Sequence, residues 1–229
     1  MREHNNIGEI KNYAAVHGGT VLYTVKYTLR DKRGRIKEKT ETVDGQTHTY
    51  AYGYDKAGRL EDVTRDGAPF ATYTYDSNAN RRNYSGPLGT IAEAETSYDD
   101  QDRLGFYGNT TYTYTARGEL ETKTKDSQTT TYEYDILGNL KVVHLPDGKQ
   151  IEYVVDGTNR RIGKKTDGTL VQGFLYEGWL RPVAELDGSG NVVSRFVYAA
   201  RLNVPDYMEK GGKTYRIITD QVGSVRLVV

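Results

Sequence analysis

Five aspartates recur in one sequence context: Asp55, Asp76, Asp99, Asp135 and Asp156. Carboxylates are common general acids and bases, but a working pair needs two groups in different environments facing one substrate. Residues that return once per copy of a repeated segment have equivalent environments, so these read as turn formers. Asp99, Asp100 and Asp102 suggest a calcium loop, yet Arg103 and Leu104 break the ligand spacing that such a loop requires. His4, His17, His48 and His144 include no pair at the helical i, i+4 spacing of a zinc site. His48, in an alternating Thr-His-Thr-Tyr stretch, reads as a solvated strand residue. The absence of cysteine removes thiolate metal sites and a Cys nucleophile. Gly188-Ser189-Gly190 is a flexible turn rather than a phosphate cradle, and no nucleophile elbow or dinucleotide fingerprint occurs. We therefore expect no catalytic, cofactor or metal residues and no enzyme activity. The remaining candidates are aromatic: the chain has 20 Tyr and a single Trp, Trp179. Their rings can pack in hairpins or stack on sugars, and Trp179 is the candidate for sugar stacking.

The elements that carry these residues repeat. Residues 50–60 read YAYGYDKAGRL, 112–120 read YTYTARGEL and 132–140 read YEYDILGNL, with worn copies from Tyr73, Ser97 and Tyr153. The skeleton is Tyr-x-Tyr-Asp-x-x-Gly-x-Leu. It places motif residues at Tyr52, Tyr54, Asp55, Gly58 and Leu60; at Tyr73, Tyr75 and Asp76; and at Tyr98 and Asp99. It continues at Tyr112, Tyr114, Gly118 and Leu120; at Tyr132, Tyr134, Asp135, Gly138 and Leu140; and at Tyr153, Asp156 and Tyr176. The second aromatic position recurs at gaps of 21, 23, 16, 20, 21 and 21 residues, with Val155 in the sixth place.

Each copy reads as a β-hairpin. Thr-rich Tyr-x-Tyr is period-2 alternation of strand formers, and Asp-x-x-Gly is a turn. A second strand follows, and the unit closes on an Asp-Gly turn at Asp44, Asp66, Asp147, Asp167 or Asp187. The helical signal is confined to Ile91–Thr96, too short to count. Single hairpins are marginal in water, so the copies must pair side by side. The expected fold is all-β: tandem hairpins of about 21 residues in an extended, twisted or spiralling antiparallel sheet, with the tyrosines aligned as a ladder. The expected organisation is a weakly repeat-like lead-in over 1–22, a hairpin array over 23–198 and a terminal segment over 199–229. Leu202–Met208 reads as an ordered loop.

Composition agrees. Leu, Ile, Val and Phe make up about a fifth of the 229 residues, low for a globular core. The tyrosines must supply the missing apolar area. Charge is balanced, 31 basic against 31 acidic residues, which excludes the positive excess of a nucleic-acid binder. Apolar runs are too short for membrane insertion, and the first residues lack a signal-peptide core.

This skeleton resembles the YD repeat of the Rhs and YD-repeat proteins, a group that includes bacterial wall-associated proteins, toxin complex C components and animal teneurins. The likeness sharpens near the end. Tyr176-Glu177-Gly178, Pro182–Val193 and Arg195–Tyr198 resemble the segment before the family's core motif. Asp220, Gly223, Ser224 and Arg226 match the Asp-x-x-Gly-Ser-x-Arg of the Rhs-associated core. The resemblance implies a structural scaffold, part of a shell that encloses or presents a C-terminal toxin or tip domain. No Asp-Pro pair follows the motif, so no self-cleavage or toxin activity is expected of this stretch. The expected partners are a polypeptide cargo or neighbouring shell segments, with cell-surface glycans as the alternative and edge-to-edge self-association open. Nucleic acid is not expected. The resemblance implies a secreted or cell-surface, bacterial setting.

Overall fold

A computed structural model of the chain describes residues 2–199 and 201–229. These divide into two compact units. The first is Met1–Gly108 with Asp220–Leu227; the second is Asn109–Thr219 with Val228–Val229.

In the first unit, strands pair antiparallel in strict chain order. They are β1 (Arg2–His4), β2 (Ile10–His17), β3 (Thr20–Arg30), β4 (Ile36–Val43) and β5 (Gln46–Tyr54). After them come β6 (Leu60–Arg65), β7 (Ala68–Tyr75), β8 (Arg81–Gly86) and β9 (Gly89–Ile91). A 3-10 turn, Glu93–Glu95, is all that forms in the short helical stretch. The hairpin β10 (Thr96–Tyr98) and β11 (Leu104–Tyr107) follows.

The second unit continues the pattern with β12 (Thr110–Tyr114), β13 (Leu120–Lys125), β14 (Gln128–Tyr134), β15 (Leu140–His144) and β16 (Gln150–Val155). Next are β17 (Arg161–Thr166), β18 (Thr169–Glu177), β19 (Arg181–Asp187), β20 (Val192–Val197), β21 (Tyr207–Lys210) and β22 (Lys213–Thr219). Tyr207 and Met208 belong to β21 rather than to a loop. A final strand, β23 (Val225–Val228), follows the Asp220 turn.

Alternation assigns the two faces. On β3, Tyr23, Val25 and Tyr27 are buried on one face. The same face carries Tyr52 opposite Val63, and Val63 opposite Ala71. In the second unit Tyr132 lies opposite Val143, and Val143 opposite Ile151. The other face is threonine-rich: Thr40 bonds Thr49, Thr42 bonds Thr47, and Thr113 bonds Thr122. Such cross-strand pairs are the elementary unit of sheet stability.

The turns are of two kinds. Asp44-Gly45, Asp66-Gly67 and Asp167-Gly168 have positive φ at both residues, as a two-residue hairpin loop demands. Asp147-Gly148 and Asp187-Gly188 do not form such loops. Pro146 lacks the N–H that the residue before a two-residue loop must donate, so Leu145 to Lys149 closes a longer turn. At Asp187 the side chain takes the amides of Ser189 and Asn191, and Gly190 carries the positive φ.

Candidate functional site: turn lacing and a terminal clasp

The Asp-x-x-Gly segment folds the same way in every intact copy. At Asp55, the Asp55 amide donates to the Arg59 carbonyl at 2.9 Å and the Gly58 amide to the Asp55 carbonyl at 3.0 Å. Gly58 sits at φ +92°, completing a type I turn and glycine bulge. One carboxylate oxygen accepts the Arg59 amide at 2.9 Å and the other accepts its Nε at 2.6 Å. Asp99 holds Arg103 and Asp156 holds Arg160 likewise, while Asp76 and Asp135 hold Asn80 and Asn139. Gly118 and Gly138 fill the Gly58 position at φ +94° and +81°. Leu60, Leu120 and Leu140 open the following strands.

The carboxylates are consequently held well below the usual aspartate range. The cause at Asp55, Asp99 and Asp156 is first the backbone amide four residues on, and at Asp135 the Asn139 side chain. At Asp76 partial desolvation opposes the shift and is outweighed by Asn80.

Sequence reading passed over two such turns, at Asn5 and Asp31, each of which accepts the amides two and four residues on. Their signal is Asn/Asp-x-x-Gly-x-Ile, with Ile in place of Leu. Asp102 occupies the glycine position at φ 60° and accepts from Asn78 and Asn80, so it serves a neighbouring turn rather than a calcium loop. Among the described residues no cluster of acids and histidines could hold a metal ion. The half-exposed His48 ring pairs with Asp66 at 2.6 Å.

In four copies the second aromatic joins one hairpin to the preceding one. The hydroxyl of Tyr54 donates to the Ile36 carbonyl, Tyr75 to Leu60, Tyr98 to Arg81 and Tyr176 to Arg161, all at 2.8–2.9 Å. The arginine of the preceding turn lies over the ring: Arg35 over Tyr54 at 4.3 Å, Arg59 over Tyr75 at 4.7 Å and Arg160 over Tyr176 at 5.3 Å. Arg59 also donates to the Asp76 carbonyl, reaching the next turn itself. The expected tyrosine ladder is thus an alternation of tyrosine and arginine. Equivalent residues in hairpin repeats are two strands apart, about 9.6 Å, beyond ring contact. The intervening strand supplies the cation instead. A register shift adjoins the second aromatic in each of these hairpins, as at Gly53/Tyr54 and Glu133/Tyr134.

The first aromatics pack on the sheet face. Tyr73 contacts Tyr84 at 5.5 Å and Arg161 lies 3.7 Å over Tyr153. Tyr112 and Tyr114 lie on β12, Tyr132 and Tyr134 on β14. Trp179 stands 74% exposed in the turn between β18 and β19.

The residues Asp220, Gly223, Ser224 and Arg226 come together in the first unit. Asp220 accepts the Val222 and Ser224 amides, and Gly223 takes φ +97°. The turn delivers Arg226 to Glu41 on β4, which is 3% exposed. Arg226 Nε donates to Oε1 at 3.0 Å and Nη2 to Oε2 at 2.7 Å. The buried Tyr23 hydroxyl donates to Oε1 at 2.8 Å and Lys39 Nζ lies 3.1 Å from Oε2. Tyr27 donates its hydroxyl to Gln221. Burial opposes ionisation of Glu41, but the Tyr23 hydroxyl, Lys39 and Arg226 outweigh it and hold the carboxyl below its usual range. Tyr23 and Tyr52 are pushed well up, first by burial and then by Glu41. Beside this clasp a cavity of about 290 Å³ is lined by Lys39, Tyr52, Tyr54 and Gln221. Neither Glu41 nor Tyr23 carries a repeat signature, so pattern alone did not single them out.

The Teneurin YD-shell family model matches residues 1–229, and the chain belongs to that family. Teneurin-4 of Mus musculus is 27% identical over 207 residues, 88% of this chain and 7% of the relative. The tRNA nuclease WapA of Bacillus subtilis (strain 168) is 28% identical over 134 residues, 50% of this chain and 6% of that protein. The chain thus spans less than a tenth of these relatives. The crystal structure of TcdB2-TccC3 aligns with 93% of this chain and 14% of its own, at 13% identity and a TM-score of 0.46.

Proposed function

We infer that this chain is a non-catalytic wall segment of a YD shell, one that encloses or presents another stretch of polypeptide. The observation carrying this reading is the lacing: the repeat's aspartates are consumed in holding their turns, and its stacked arginines and bonded tyrosines in joining hairpins to their neighbours. A carboxylate held by two amides and a guanidinium is a poor proton carrier. Family membership supports the wall assignment. The setting is extracellular or cell-surface, as befits relatives of teneurin type, and no helix among the described residues is long and apolar enough to cross a membrane. Its partners are a polypeptide cargo and neighbouring shell segments joined at strand edges.

The test is limited proteolysis of the longest natural chain containing this stretch. A segment that resists digestion while the hairpins are intact, and is digested once they are opened with denaturant, supports enclosure. A segment cut at the same rate in both states overturns it.

A second reading rests on Trp179, whose exposed ring neighbours the 79% exposed Leu180. It makes this turn a glycan contact. Trp179→Ala should then abolish glycan-array binding with the β-sheet spectrum intact, and an array without hits on the folded protein removes this reading.

A further inference from the structure

At one turn of the second unit the arginine position carries the opposite charge, and the chemistry of the lacing says what fits there. In four turns the residue four past the start is an arginine, set opposite the next tyrosine and stacked on it: Arg35 on Tyr54, Arg59 on Tyr75, Arg160 on Tyr176 and Arg181 on Tyr198. Each arginine has a carboxylate within 2.6–3.3 Å, from Asp31, Asp55, Asp156 or Glu177. In the turn between β12 and β13, Thr115 replaces the aspartate and Glu119 replaces the arginine. Thr122 pairs with Thr131, and continuing that register sets Glu121 opposite Tyr132 and Glu119 opposite Tyr134. Among the described residues no arginine or lysine lies over Tyr134. The phenol of Tyr134 is pushed up by burial, with Tyr132 and Glu119 adding to it.

The result is an open groove of about 630 Å³ at this turn edge, lined by Glu119, Glu121, Tyr132, Tyr134 and Ile136. Arg117 also lines it, with its Nη1 donating to the Ile136 carbonyl at 3.2 Å, and one Glu119 oxygen accepts from the Thr115 hydroxyl, which leaves the other open to the groove. Two carboxylates beside two phenol rings are the complement of a guanidinium, which takes a carboxylate in its plane and a ring on its face. We propose that this groove is a docking site for an arginine-bearing segment of a partner polypeptide, whose side chain takes the stacked position that Arg59 and Arg160 hold in their own repeats. The proposal does not depend on enclosure, since any polypeptide reaching this edge could dock.

Fluorescence polarisation with a labelled hexa-arginine peptide, and with its uncharged hexa-citrulline counterpart, tests it on the folded chain. Formal net charge is +0, so bulk attraction for a polycation is weak. Saturable binding of the arginine peptide is expected, with the citrulline peptide weaker by about tenfold or more, some 1.4 kcal/mol. Glu119→Arg, which restores the lacing, should weaken binding at least as much and leave the circular-dichroism spectrum unchanged. Glu121→Gln serves if that variant misfolds. Glu61→Arg, the same charge change on the exposed part of β6, should leave binding unaltered. No saturable binding, equal binding of both peptides, or equal loss with Glu61→Arg overturns the proposal.

Discussion

Arg226 closes a bidentate ion pair on Glu41 across 185 residues of chain, with donor–acceptor distances of 3.0 and 2.7 Å. The pair ties the terminal turn to the most buried part of the first unit, where the Tyr23 hydroxyl adds a third donor to the carboxylate. Removing one partner of such a pair leaves the other charge uncompensated.

Arg226→Ala should therefore lower stability by about 1–3 kcal/mol, discounted because the arginine is partly exposed. Glu41→Ala should cost more, since Tyr23 and Lys39 lose their partner as well. Urea unfolding followed by tyrosine fluorescence, in a double-mutant cycle, measures the coupling. Additive losses would show that the clasp holds nothing.

Tyr54→Phe, Tyr75→Phe and Tyr176→Phe each delete one hydroxyl-to-carbonyl bond between hairpins while keeping the ring under its arginine. Each should cost about 1 kcal/mol. The corresponding alanine variants remove ring, stacking and bond together and should cost several times more. Thermal unfolding of the six variants separates the two contributions.

Acid should weaken the turns. The carboxyls of Asp55, Asp99, Asp135 and Asp187 all titrate below their ordinary value in the folded chain, so the unfolded chain takes up protons first. Their contribution is complete above the unfolded aspartate pKa, about 3.9, and is lost as pH falls through the lower folded values. Stability against urea should be flat through neutrality and drop below about pH 4. Asp55→Asn, which keeps an oxygen for the Arg59 amide but gives up the ion pair, should make that drop shallower.

Gly138→Ala isolates the backbone requirement of the turn. At φ +81° the added Cβ meets only Glu119 Oε1, at 3.9 Å, so the cost is conformational rather than steric. A loss of about 1–2 kcal/mol is expected. A neutral result would mean that the turn relaxes out of the left-handed region.

The hairpins and their turns were legible because their causes are local. Asp55 and Gly58 act on residues within the same turn, and Tyr-x-Tyr alternation fixes its face by strand period alone. Two Asp-Gly turns were misread because Pro146 and Gly190 change which residue carries positive φ, a competition that a dipeptide motif does not register. The ladder was misjudged because side-by-side hairpins set equivalent tyrosines two strands apart, and only cross-strand register brings Arg35 to Tyr54.

The sequence by itself determined the all-β repeat, its 21-residue period, the turn residues and the identity of the terminal Asp220–Arg226 motif. Tertiary structure alone decided that this motif lands on Glu41 and that Tyr23 and Tyr27 line the landing. It also decided that Glu119, rather than an arginine, stands opposite Tyr134. The physical reason is range: turn and strand preferences are set within a few residues. Burying a carboxylate, by contrast, requires partners that only chain return and strand register can bring within 3 Å.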